Sequence, residues 1–195
     1  MAGFKANFGI SGMILSLSAI MILFYFGLAN PNLFETLWVA FAFWITGFVG
    51  SIYLGLVGRS KGLSFNHLLR MGAYTACGLL VFAGFNYSYA ILMQASVTGV
   101  SSMLMSWAIG ISEELFFGVF ALGALTSMMG LPRLFAIILT SASHALYHVP
   151  TWGMNPSLLI LFFFCFAVAR SLYVYVFPHV GMLLGIHGFW NLGVA

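Results

Sequence analysis

The chain has 195 residues, 63% of them hydrophobic and 5% charged, with a mean hydropathy of +1.09. A soluble domain carries charge on nearer a quarter of its residues, so this composition excludes one; apolar runs of about 20 residues match a hydrocarbon core about 30 Å thick. The formal net charge of +3 implies no nucleic-acid partner, because in such a chain the placement of Lys and Arg reports orientation in the bilayer.

After Lys5 the chain is apolar from Ile10 to Ala29, longer than the apolar core of a cleavable signal, and this run is read as the first span, 10–29. Breaks at Asn, Pro, Gly and charge clusters predict further spans over 36–57, 71–93, 101–127, 132–149, 157–177 and 179–195. The fold expected is all-α, a polytopic transmembrane helix bundle of about seven helices forming a single membrane-embedded domain over 1–195. With the N-terminus cytoplasmic, the inner segments hold Lys5, Arg59, Lys61, Arg70 and Arg133, whereas the outer ones hold Glu35 and no Lys or Arg. The positive-inside rule favours that orientation, and the expected location is the cell membrane, crossed several times. Cys77 and Cys165 lie inside apolar runs and read as small buried hydrophobes.

Two of the three acidic residues, Glu113 and Glu114, are adjacent in the middle of the fourth span. An ionised group at bilayer centre costs about 2.5–3.5 kcal/mol, so such residues face a bundle interior and mark a functional site. On a helix they point about 100° apart and need different partners. The fifth span adds His144 and His148, and the seventh His187 and Asn191; each pair is spaced by four and shares a helix face. Desolvation penalises the charged form of carboxylate and imidazole alike, which brings both toward proton exchange near neutral pH, as acid/base chemistry requires. Arg170 is a lone cation inside the sixth span, where it either snorkels to the inner surface or finds an anion.

Several chemistries use such a set. His144 and His148 have the i, i+4 spacing of a zincin helix without the Glu between them, so a zinc site of His144, His148, His187 and a Glu is one reading. Ser112, Ser141 and Ser143 are candidate nucleophiles for a serine protease. A proton-coupled transporter would use Glu and His as a relay, although no paired broken helices in two related halves are evident. The same groups would also serve as interhelical hydrogen-bonding glue.

The order Glu113-Glu114-Leu115-Phe116-Phe117, then Ala145-Leu146-Tyr147-His148-Val149-Pro150, then His187-Gly188-Phe189-Trp190-Asn191 resembles the three motifs of the CAAX protease and bacteriocin-processing family. Those motifs are a Glu-Glu pair followed by Arg, a Phe with a His four residues later, and His-x-x-x-Asn; the resemblance covers about residues 101–195. It implies a prokaryotic intramembrane endopeptidase acting on a peptide or protein substrate presented at the bilayer, with no cofactor. Glu113 would be the general base, His148 would help hold the water, and His187 with Asn191 would form the oxyanion site. The alternatives are an altered member acting in binding or bacteriocin self-immunity, and a metal-dependent peptidase.

Two positions depart from the pattern. The family Arg falls at Gly118, which deprives Glu114 of a local cation, and we expect Arg170 to reach it from the sixth span. His144 stands where the family has Phe; it reads first as a core histidine, with a proton relay or a ligand as the other roles.

Overall fold

The computed structural model describes residues 8–30, 34–53, 100–152 and 155–194. Among them are six helices and no strand: α1 (Gly9–Ala29), α2 (Phe34–Tyr53), α3 (Val100–Glu114 continued by Leu115–Ala121 and Leu122–Ser127), α4 (Arg133–Tyr147, followed by the short turn Val149–Trp152), α5 (Pro156–Ser171 continued by Leu172–Val176) and α6 (Val180–Val194). The chain is thus an all-helical bundle of the expected class. The span expected at 71–93, the basic residues Lys5, Arg59, Lys61 and Arg70, and Cys77 lie outside the described residues.

The bundle differs from a soluble protein in that its surface is as apolar as its core. Its outer surface presents Met21, Phe24, Leu28, Phe135, Phe164 and Val168, whereas Glu113, Glu114, His144, Arg170 and His187 are buried. With lipid as the solvent, apolar side chains gain nothing by hiding, and polar ones must find partners inside. Some buried hydroxyls find theirs within their own helices: Ser112 donates to the Ala108 carbonyl at 2.9 Å and Thr140 to that of Ala136 at 2.8 Å.

Among the described residues three helices are long and apolar enough to cross a membrane: Ser11–Ala29, Leu104–Ser127 and Pro156–Val176. The second is the centre of the bundle. In its most apolar stretch 67% of residues are buried, against 28% and 33% for the other two. Helix α3 packs against α1, α2 and α6 along its first half. In its second half the backbone widens into a π-helix over Leu115–Ala121, and the Leu122 N–H reaches back five residues to the Phe117 carbonyl. Helix α5 widens likewise over Leu172–Val176. Such insertions of one extra residue per turn are frequent at functional sites, and here each lies just after a buried charge, Glu114 and Arg170.

Local chemistry sets the helix ends that frame the interior. Pro150 cannot accept a straight continuation, since its ring would meet the Leu146 carbonyl, so α4 stops at Tyr147 and His148 becomes its terminal turn. Helix α5 starts at Pro156, whose lack of an N–H costs nothing at a first position, and Asn155 Oδ1 accepts from the N–H groups of Ser157 at 3.1 Å and Leu158 at 3.3 Å. Removing this cap by Asn155→Ala is expected to lower stability by about 1 kcal/mol. Reversible unfolding in mixed micelles checks it, and an unchanged midpoint would contradict the capping role.

Candidate active site

The site begins on the face of α3 that meets α6. Ser106, Gly110 and Glu113 recur there at intervals of four and three, the spacing of one helix face. Gly110 gives the space for Asn191: a Cβ at position 110 would lie 2.6 Å from Asn191 Nδ2 and 3.1 Å from the His187 ring. In that space Asn191 Nδ2 donates to the Ser106 carbonyl oxygen at 2.9 Å, which fixes the amide's orientation, because a carbonyl can only accept. One N–H of the amide anchors it, and the second has no partner among the described residues. His187 sits one turn before Asn191 on α6, on the same face.

One carboxylate oxygen gathers three imidazoles. Glu113 Oε2 lies 3.3 Å from His144 Nε2, 3.5 Å from His187 Nε2 and 3.9 Å from His148 Nε2. Glu113 is 3% exposed and His187 5%, whereas the His148 side chain keeps 16% of its surface open at the end of α4. The group therefore has a closed side toward α3 and α6 and a more open one beside His148.

Glu114, turned away by the helical rotation, is held by a cation. Arg170 Nη2 donates to Glu114 Oε1 at 2.9 Å, and Nη1 donates to Ser141 Oγ at 3.2 Å. The pairing expected between Glu114 and Arg170 is therefore the geometry found. Snorkelling is not, since Arg170 is wholly buried with its guanidinium over the Phe166 ring, 5.3 Å from the centroid. Gly118 explains why the ion pair fits. A Cβ there would collide with Glu114 Oε2, so the position that would carry a cation on the same helix is instead the space into which the carboxylate folds. His187 Nδ1 and His144 Nδ1 approach the other oxygen, Glu114 Oε1, at 3.3 and 3.4 Å.

The five residues assigned by motif, Glu113, Glu114, His148, His187 and Asn191, thus lie on α3, the end of α4, and α6 around one interior. His144 joins them. The serines do not form a nucleophile with a base: Ser112 is spent on its own helix, Ser141 accepts from Arg170, and Ser143 faces outward. Sequence reasoning missed Ser106, Ser141 as a charge partner, and the aromatic pair Phe117 and Phe166. A signal existed for the last, because Phe166 precedes Arg170 by four and shares its face.

Fold and site together define a polytopic helical membrane protein with carboxylates, imidazoles and one guanidinium collected in an apolar interior. Residues 94–193 match the family described as type II CAAX prenyl endopeptidase Rce1-like, and the chain belongs to this family of membrane CAAX-type endopeptidases. No curated protein and no solved structure is significantly similar to it.

A buried pair tolerates loss of both partners better than loss of one. Arg170→Met or Glu114→Leu alone is expected to destabilise the protein by about 3–5 kcal/mol, and the double variant to recover most of that loss. Unfolding midpoints of the four proteins in one detergent check it; a double variant no more stable than either single would remove the pairing.

Proposed function

We propose that the chain is an intramembrane endopeptidase in which Glu113 activates water for attack on a peptide bond presented at or within the bilayer. The observation that carries this reading is the gathering of His144, His148 and His187 around one oxygen of a buried glutamate. Glu113 Oε2 and His148 Nε2 are past direct hydrogen-bonding distance at 3.9 Å, yet close enough for one water to touch both. They also stand at the more open edge of the site.

In the proposed reaction the Glu113 carboxylate takes a proton from that water, and the hydroxide oxygen bonds to the scissile carbonyl carbon. The negative charge moves onto the carbonyl oxygen, for which His187 and the second N–H of Asn191 are the donors. Support for this role is that Asn191 is anchored to Ser106 one turn from His187 on the same helix, since donors oriented in advance in a dry site stabilise developing charge best. On collapse the C–N bond breaks and the proton held by Glu113 goes to the departing amine. Glu114 and Arg170 hold α3 to α5 and take no proton in this scheme. The cell membrane location, the cytoplasmic N-terminus and the opening of the site on the His148 side belong to the same proposal.

A second reading has one observation in its favour. Glu113, His144 and His187 each offer a donor atom, all within 4.8 Å of one another, a spacing that a zinc ion would suit, with His148 nearby. Against it, the Arg170 guanidinium lies 2.7 Å from His144 Nδ1, which puts a fixed positive charge on the back of one of the three ligands. The metal-free reading is therefore preferred.

Purified protein in lipid is tested on a fluorogenic membrane peptide as wild type, Glu113→Gln and His187→Ala, with and without a chelator. Loss of one general base or oxyanion donor is expected to lower kcat by about 100-fold or more in each variant, and the chelator to change nothing. Chelator sensitivity with rescue by zinc would move the assignment to a metallopeptidase. Undiminished turnover in both variants would leave these residues to binding or self-immunity.

A further inference from the structure

We infer that His144 is a positioning residue that locks the Glu113 carboxylate through a single fixed tautomer, set from behind by Arg170. The inference rests on Glu113 being the reacting base. Its starting point is the environment of the ring. His144 is fully buried between two parallel phenyl rings, Phe166 at 3.9 Å with 2° between planes and Phe117 at 4.4 Å with 16°. This stack leaves the imidazole no room to rotate out of its plane, so its two nitrogens are fixed toward opposite groups: Nε2 toward Glu113 Oε2 at 3.3 Å and Nδ1 toward Arg170 Nη2 at 2.7 Å.

Hydrogen-bond inventory then decides where the proton sits. A guanidinium nitrogen only donates, so at 2.7 Å His144 Nδ1 must be the acceptor and carry no hydrogen. An imidazolium or an Nδ1–H tautomer would set N–H against N–H. The neutral ring therefore has its hydrogen on Nε2, where it donates to Glu113 Oε2. The same Nη2 holds two hydrogens, one for His144 Nδ1 and one for Glu114 Oε1 at 2.9 Å, which also keeps apart the two acceptors lying 3.4 Å from each other. Ser141 Oγ takes the Nη1 hydrogen and completes the orientation of the guanidinium.

Arg170, His144 and Glu113 thus form one directed chain of donors running from α5 through α4 to α3. Its effect is to hold one oxygen of Glu113 with a fixed hydrogen-bond donor and so to aim the carboxylate. A phenylalanine at position 144 would keep the stack and lose the chain.

The test uses the full chain labelled with 15N-histidine in lipid nanodiscs, with His144→Phe identifying the His144 signals. At neutral pH the 15N spectrum is expected to show a protonated Nε2 and an unprotonated Nδ1 for His144. A protonated Nδ1 or an imidazolium overturns the inference. In the peptide assay His144→Gln, which keeps a donor near the Nε2 position, is expected to retain kcat within about threefold, whereas His144→Phe and His144→Asn lose about 10- to 100-fold in kcat with KM unchanged, the size of effect expected from a loosened catalytic group. His144→Phe equal to wild type, with thermal stability also equal, would overturn the positioning role and leave the role of Glu113 standing. A wild type without turnover would remove the endopeptidase reading alone, and the spectrum still decides the tautomer.

Discussion

A guanidinium and a carboxylate 2.9 Å apart, both closed off from solvent, are the constraint around which the described bundle is arranged. Neither charge survives alone in an apolar interior, where breaking such a pair costs about 3–5 kcal/mol. Helices α3 and α5 are therefore bound to one another by more than packing. The pair also fixes everything that touches it. Ser141 and His144 on α4 meet Arg170, and His187 on α6 meets Glu114, so four helices take their relative positions from one ion pair.

The neighbouring carboxylate shows the other half of the design. Glu113 has no Lys or Arg in contact among the described residues; its partners are imidazoles. A guanidinium would neutralise it permanently, whereas an imidazole can donate a hydrogen bond without removing its basicity. Adjacent residues on one helix are thus divided by their partners into a carboxylate held by a guanidinium and one surrounded by imidazoles, and the division follows from the rotation of about 100° between them.

Much of the architecture was legible in the chain because lipid imposes simple rules. The spans expected at 10–29, 101–127 and 157–177 differ by no more than a residue at either end from helices at 9–29, 100–127 and 156–176, since apolar runs bounded by Pro, Asn and Gly leave few alternatives. The polar residues of the site could be found for the same reason: each is an exception in a surrounding that penalises exceptions. Arg170 could be matched to Glu114 by charge balance. What spacing could not give was anything that depends on how helices face each other. The π segments after Glu114 and Arg170 have no composition signal in Leu115–Ala121 or Leu172–Val176. Phe166 could be placed on the face of Arg170 by its spacing of four, but nothing among 21 phenylalanines marks Phe117 as the ring on the other side of His144. His144 read as a core residue, and it is one, but its two nitrogens were beyond reach until both neighbours were placed.

The cation that balances Glu114 comes from 56 positions further along the chain rather than from the next turn of its own helix. A partner at that next turn would form as soon as the helix did, and the segment would enter the bilayer already neutral. Here the partner is on α5, which is synthesised after α3, so each segment carries a penalty of about 2.5–3.5 kcal/mol for its charge until the two meet. Neutralisation of the middle of the chain therefore depends on its later part, and the two charged helices reach their final positions together.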